Sequence, residues 1–210
     1  MSSKSHATRL RILDAARRLF NERGTAAVST NHIAAEAGLS PGNLYYHFAD
    51  KHAIIRGLVT QYIGSYEDRW KPSPDGRENL AALRQNLAEN IEIAWEYRFF
   101  NRELAALLRA DPELRATYVE THRFRMAEWT AFAEQLAEQG LLIPPRPPRT
   151  LADLTTAIWL ISENWLTFLD IAGNPQDPAQ VARQTDLVMI ALDPYLSAKA
   201  RRALKEPHRD

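Results

Sequence analysis

The stretch that decides the fold is residues 33–48, IAAEAGLSPGNLYYHF, in the first quarter of the chain. A small residue, Ala34, is followed four positions later by Gly38, which tolerates the positive φ of a sharp turn. Ser40-Pro41 then restarts a helix, with serine as N-cap and proline at the first helical position. Apolar residues that hold two helices at one angle recur at Ile33, Ala37, Leu39, Leu44 and Phe48. This combination predicts a helix-turn-helix, a motif that binds DNA.

The outward face of the second of these helices has an unusual composition. It consists of Gly42, Asn43, Tyr45, Tyr46 and His47, and no acidic residue occurs between Leu39 and Ala49. We expect the first turn of this short helix to enter a major groove, which is about 12 Å wide. Asn43 is then placed to pair with adenine, and Gly42 lets the backbone approach the bases. The alternatives are that Tyr45 and Tyr46 are partly buried packing residues and that His47 is an ordinary surface residue.

The charge of the chain is unevenly distributed. Its 26 basic and 26 acidic residues cancel. Residues 1–56, however, contain eight Lys and Arg against four Asp and Glu, which leaves residues 57–210 with 18 basic and 22 acidic residues. A positive head on a negative body is typical of a protein that meets phosphate at one end.

Helical periodicity extends through the rest of the chain, and no strand-like alternation occurs. The sequence therefore predicts an all-α fold of about nine helices, with a short helix over 102–109 and a frayed, basic tail from Ala198. Gly24, Gly140 and the 71–76 loop are expected helix ends, and Asp50, Asp111, Thr150 and Asp177 are expected helix starts. Two strongly apolar helices, 150–171 and 177–196, are expected near the C-terminus, with a kink at Pro194.

The head resembles the tetracycline-repressor (TetR) family over about residues 9–58. The similar segments are Arg11–Ala16 with Leu19, Phe20 and Gly24, then Ser29–Ala34, Ala37–Ser40, Gly42–Phe48 and Lys51. The resemblance implies a DNA-binding head, residues 1–52, and a helical body, residues 53–210, that binds a small-molecule effector and dimerises. Homodimers of the family bind palindromic double-stranded operators, usually to repress transcription. Helices 150–171 and 177–196 would form a four-helix bundle with those of the partner, and the effector would change the spacing of the two heads.

By motif position, the resemblance also assigns site residues. Thr30, Ser40, Tyr45, Tyr46, His47 and Lys51 would contact phosphate or the groove edges, and Gly42 and Asn43 would lie nearest the bases. Relatives often carry a polar or basic base-reading side chain where this chain has Gly42. We therefore expect few direct base contacts and a larger part for the shape of the DNA.

Aromatic residues cluster in the body and suggest a site for a flat or apolar effector. The candidate effector-binding residues are Trp95, Phe99, His122, Trp129, Trp159 and Glu163. The alternative is that these aromatic residues belong to the core or to a dimer interface. Glu163 interrupts an apolar helix, so it should be exposed, paired or turned toward a polar ligand. We expect His122, on the inner face of its helix, as its partner.

Other function classes find little support in the sequence. Without cysteine there is no disulfide or Cys-ligated metal site, and the histidines lack metal-ligand spacing. We see no nucleophile elbow, phosphate loop or carboxylate pair with a histidine, so we expect no enzyme activity, metal or cofactor. The polar start of the chain and the absence of a long apolar run predict a cytoplasmic protein without a membrane span. A helical interaction protein with a vestigial head and a monomeric activator remain the alternatives.

Overall fold

Regular structure is helical throughout the residues that the computed structural model describes, 3–66 and 69–205. The helices are α1 Ser3–Arg23, α2 Thr30–Glu36, α3 Pro41–His47, α4 Lys51–Gly64, α5 Gly76–Glu96, α6 Arg98–Ala110, α7 Pro112–Glu138, α8 Leu151–Ala172, α9 Pro178–Leu192 and α10 Ala198–Lys205. The predicted all-α fold is confirmed, with ten helices in these ranges rather than about nine. None of the described helices is long and apolar enough to cross a membrane.

The predicted helix boundaries arise from local chemistry. Gly24 and Gly140 end α1 and α7 with φ of +77° and +66°, a conformation that favours glycine. The Asp50 carboxylate accepts a hydrogen bond from the Ala53 N–H at 2.7 Å and so caps α4. Thr150 and Asp153 cap the start of α8 reciprocally, each side chain accepting from the backbone N–H of the other.

The prediction of a short helix over 102–109 is wrong at its start. Helix α6 begins at Arg98, because only Tyr97, with φ −110° and ψ +31°, leaves the helical conformation between α5 and α6. Phe99, Phe100 and Asn101 are all buried, so the amphipathic pattern breaks here because three successive residues of the first turn face the core.

The prediction of a frayed tail is also wrong. Residues Ala198–Lys205 form α10, whose Ala200 is completely buried, and the Ser197 hydroxyl accepts from the Ala200 N–H at 3.2 Å. Correspondingly, the helix expected over 177–196 ends at Leu192. Pro194 lies in a 3-10 turn, Asp193–Tyr195, rather than at a kink within the helix.

The chain forms two compact units that interleave in sequence. The first contains α1–α4, α6 and α7 up to Ala116. Its core is made by α1, α2, α3, α4 and α6, with Ile12, Phe20, Ile33, Leu44, Ile54, Leu58, Phe99 and Phe100 at most 1% exposed. At the start of α7, the Asp111 carboxylate accepts from the N–H groups of Glu113 and Leu114 and pairs with Arg56 of α4 at 2.6 Å.

The second unit contains α5 up to Trp95, the rest of α7 and α8–α10. Helices α8 and α9 run antiparallel. Trp165 Nε1 donates to the Val181 carbonyl at 3.2 Å, and Gln184, further along α9, donates to the carbonyl of Ser162, which is earlier on α8, at 2.6 Å. A large apolar cluster joins α5, α7, α8, α9 and α10. A partly open cavity of about 40 Å³ lies within this cluster, and its walls include Trp129, Phe132 and Ile158.

Candidate functional site

Helices α2 and α3 form the predicted helix-turn-helix. Gly38 adopts φ +64° in the turn, and the Leu39 N–H donates to the Ala34 carbonyl at 2.9 Å. Ala34 and Leu44, 1% and 0% exposed, fill the contact between the two helices. The predicted cap of α3 is also present, since the Ser40 hydroxyl oxygen accepts from the Asn43 N–H at 3.3 Å. The turn therefore fixes the direction of α3.

The outward face of α3 is open to solvent. Gly42 and Asn43 are exposed, and a Cβ placed on Gly42 would meet no atom within 4 Å. Tyr46 is 81% exposed, which contradicts the alternative that it is a partly buried packing residue, whereas Tyr45 is 49% exposed and so is about half covered by its neighbours. His47 is half-buried, with its ring edge-on to Tyr46 at 5.1 Å between centroids. The structure thus brings five of the predicted DNA-binding residues onto one surface.

Two further predicted contact residues are held by partners within the head. The half-buried Thr30 of α2 shares a 2.8 Å hydrogen bond with the Tyr45 hydroxyl, so the two hydroxyls lie side by side. The Lys51 ammonium donates to the carbonyls of Thr25 and Val28 at 2.8 and 3.0 Å. Lys51 thereby closes the loop between α1 and α2. Its contact with phosphate remains a prediction.

Two residues of the head have structural roles that the sequence does not predict. Arg9 of α1 donates to the His47 carbonyl at 3.0 Å and lies 4.1 Å from the Phe48 ring centroid, so it caps the C-terminus of α3. His32 completes a capping box with Ser29 at the start of α2. The spacing of Ser29 and His32 was a usable signal. No sequence spacing signals the pairing of Arg9, 38 residues from its partner.

Many of the basic side chains of the head are engaged in internal contacts. Arg18 pairs with Asp14 within α1 and with Glu36 of α2 at 3.1 Å. Arg17 pairs with Asp14 and Glu96. Arg17 and Arg18 therefore already have carboxylate partners, and they contribute to the positive field around the head rather than standing as unpaired cations.

The candidate effector residues fall into separate places. Phe99 is 1% exposed and packs on Phe20, 5.4 Å between ring centroids, in the core of the first unit. Trp95 packs against the small cluster of Ile91, Ala94, Leu166 and Leu169 in the second unit. Phe99 therefore belongs to the first unit, whereas the other candidate effector residues belong to the second.

The other four candidates lie together between α7 and α8. Ring centroids are 4.9 Å apart for His122 and Trp159, and 5.3 Å apart for Trp159 and Trp129. The chain of rings continues from Trp129 to Trp70, at 5.2 Å, and Trp129 and Trp70 line the cavity. At the other end of this row of rings, Tyr118 stacks on His122 with 6.3 Å between ring centroids.

Glu163 reaches this aromatic group from α8. Burial raises the pKa of its carboxyl group to about 7, although a hydrogen bond donated by Tyr118 opposes the rise. Burial and the adjacent carboxylate also raise the pKa of the Tyr118 phenol. The expected pairing of Glu163 with His122 is replaced by the bond from Tyr118. Tyr118 is not among the residues predicted to bind an effector, although its four-residue spacing from His122 places both on one face of α7.

Comparison with known proteins covers both parts of the chain. Residues 12–58 match the family described as bacterial regulatory proteins, tetR family, and residues 64–204 match TetR, described as a bacterial transcriptional repressor. A solved structure of a TetR-family transcriptional regulator from Marinobacter aquaeolei VT8 is 31% identical, with a TM-score of 0.81 over 97% of this chain and 96% of that one.

Two relatives of known name are more distant. The HTH-type transcriptional regulator UidR of Escherichia coli K12 is 28% identical over 163 residues, which are 75% of this chain and 83% of UidR. The HTH-type transcriptional repressor KstR2 of Mycobacterium tuberculosis H37Rv is 27% identical over 189 residues, which are 88% of this chain and 92% of KstR2. Both are named for regulation of transcription.

Proposed function

Because the chain belongs to the TetR family of bacterial transcription regulators, we propose that it is a ligand-responsive repressor that binds a palindromic operator as a homodimer. Residues 1–52 form the DNA-binding head in this proposal, and residues 53–210 bind the effector and the second protomer. Repression as the mode of action is supported by the name of the relative KstR2.

The observation that carries the proposal is the open, acid-free face of α3. A helix of seven residues with a glycine and an exposed asparagine in its first turn can place backbone and carboxamide against base edges. The N-terminal N–H groups of helices and exposed hydroxyls are suitable for phosphate. In this arrangement Gly42 and Asn43 lie nearest the bases. The residues that contact DNA phosphate or the groove edges are Thr30, Ser40, Tyr45, Tyr46, His47 and Lys51.

The homodimer is supported by exposed apolar side chains on α8 and α9. Leu160, Phe168 and Ile171 are 57%, 51% and 81% exposed on α8, and Ile190 is 68% exposed on α9. On α8 these residues follow one another at intervals of eight and three, so they form a single stripe. An apolar stripe on paired helices is the usual signature of a surface that binds another protein, and a second copy provides a matching stripe.

Ligand response is supported by the aromatic chain and the cavity in the second unit. The cavity of about 40 Å³ is smaller than the 300–1,000 Å³ typical of ligand sites. An effector would therefore have to displace side chains around Trp129 and Trp159, which gives it a means to favour one conformation over another.

Selection of bound duplexes from a random DNA pool tests the function of the head. The wild-type protein should enrich a palindrome, and fluorescence anisotropy should show that Asn43→Ala relaxes the preference at one base pair by roughly 1–3 kcal/mol. Asn31→Ala, which removes the same carboxamide from the exposed side of α2, is the matched control and should leave base preference unchanged. Recovery of no common sequence would support the interaction-protein alternative.

Sedimentation equilibrium tests the dimer. Ile171→Glu should convert the dimer to a monomer, because it places a charge in the apolar stripe of α8. Phe124→Glu is the matched control, since Phe124 is 62% exposed on α7 and should tolerate the same charge without dissociation. A wild-type monomer, or an Ile171→Glu protein that remains dimeric, would contradict the proposed interface.

A further inference from the structure

Four side chains, two from each of two facing helices, form a cluster of polar atoms and aromatic rings. Tyr118 and His122 come from α7, and Trp159 and Glu163 come from α8. The Trp159 indole N–H donates to the Tyr118 hydroxyl, which in turn donates to the Glu163 carboxylate. Tyr118, Trp159 and Glu163 therefore share one hydrogen-bond network, and the His122 ring contacts the rings of Tyr118 and Trp159 beside it.

This network leaves two polar atoms unsatisfied. Glu163 Oε1 and His122 Nδ1 are both shielded from solvent and have no hydrogen-bond partner. The large majority of buried polar side-chain atoms in folded proteins are paired, so an unpaired one calls for an explanation such as a missing ligand group. A carboxylate oxygen accepts hydrogen bonds and does not donate them. The group missing beside Glu163 Oε1 is therefore a donor.

We propose that Glu163 and the rings of Tyr118, His122 and Trp159 bind the nitrogen of a small organic cation whose apolar or aryl body lies along Trp159 and Trp129. The proposal rests on the proposed ligand response and names the class of the effector. An N–H of a protonated amine satisfies Glu163 Oε1 as a charge-assisted hydrogen bond. The aromatic faces attract the same positive charge.

The neighbouring cavity favours the same class of ligand. Trp129 both lines the cavity and contacts Trp159, so the cavity continues the aromatic chain that starts at the carboxylate. Its described lining is apolar apart from Thr155, and it includes no lysine or arginine. An anionic ligand would find no countercharge among these lining residues and would be repelled by the Glu163 carboxylate, whereas a cation with an apolar body matches both ends.

Isothermal titration calorimetry of the full-length protein without DNA tests the proposal. The probes are 2-phenylethylammonium and 2-phenylethanol, which have the same aryl body and differ in charge. At pH 8.5 the cation should bind saturably, and at least about tenfold more tightly than the alcohol. Glu163→Gln should lose about tenfold in affinity for the cation and little for the alcohol. Glu134→Gln, the same change at an exposed position of α7, is the control and should bind like the wild type.

Equal affinity for the two probes, an unchanged affinity in Glu163→Gln, or no saturable binding of the cation would each overturn the proposal. These outcomes are independent of DNA binding, because the titration uses the free protein. If a neutral compound released the operator equally well from the wild type and from Glu163→Gln, the ligand response would stand and the cation assignment would fall. If the cation bound through Glu163 without releasing DNA, the site would stand and the proposed ligand response would fail.

Discussion

Glu163→Gln is expected to stabilise the protein at alkaline pH, and this expectation follows from the buried carboxyl group. Its pKa is raised from 4.5 to about 7, so the folded state holds a proton that the unfolded chain has already released. When folding raises the pKa of an acid, its contribution to stability is greatest at low pH and falls as pH increases from about 4.5 to 7. Above that range the full cost of the ionised form is present.

The size of the effect follows from the same two values. A gap of about 2.5 pH units, at about 1.4 kcal/mol each, makes ionisation of Glu163 cost roughly 3 kcal/mol of unfolding free energy above pH 8. At pH 5 the corresponding cost is only about 1 kcal/mol, because the folded carboxyl group is still protonated. Glutamine has nearly the same shape and cannot ionise, so it removes this pH dependence.

Urea denaturation at pH 5 and pH 8.5, followed by circular dichroism, measures the effect. Protein concentration must be held fixed, because the stability of a dimer depends on it. The difference in unfolding free energy between Glu163→Gln and the wild type should move in favour of the variant by about 2 kcal/mol from pH 5 to pH 8.5. Glu134→Gln should show no such change. A difference that is equal at the two pH values would refute the reasoning, since it would mean that Glu163 ionises as freely as in the unfolded chain.

Two further predictions concern the head. Lys51→Met should lower the unfolding free energy by about 2 kcal/mol, because it removes two charge-assisted hydrogen bonds to the α1–α2 loop. If the urea midpoint were unchanged and only the salt dependence of DNA binding became shallower, Lys51 would be a phosphate contact alone. Gly24→Ala should cost about 1–2 kcal/mol, because Gly24 has φ +77° and a Cβ would lie 3.0 Å from Glu103 Oε1. Gly42→Ala should change stability by less than about 0.5 kcal/mol, and equal thermal shifts for the two glycines would contradict this.

The fold was largely predictable because its boundaries are local. Asp50, Thr150 and Asp177 each cap a helix through a backbone group two or three residues away, and such spacings are visible in sequence. Helix α10 was not predictable in the same way. Its stability depends on burial of Ala200 in a cluster assembled from five helices, which no short window of sequence reveals.

In the candidate site, too, features that depend on nearby residues were predictable and contacts between distant residues were not. The helix-turn-helix spacing predicted the exposed face of α3, since every determinant lies within 16 residues. The hydrogen bonds of Lys51 and Arg9 within the head could not be predicted, because their partners are carbonyl oxygens 23–38 residues away. In the body, the sequence identified Glu163 as an anomaly but assigned it the wrong partner. Tyr118 and His122 share one face of α7, and only the packing of α7 on α8 decides which of them reaches the carboxylate.

Fluorescence anisotropy of the wild-type protein on its selected palindrome and on a shuffled duplex, at several salt concentrations, tests the central claim most directly. The account predicts two protomers per palindrome, binding at least about a thousandfold tighter than to the shuffled duplex, and an affinity that falls steeply with salt on both. Equal binding to the two duplexes at every salt concentration would contradict it, because the exposed face of α3 would then be attracted to DNA without reading its sequence.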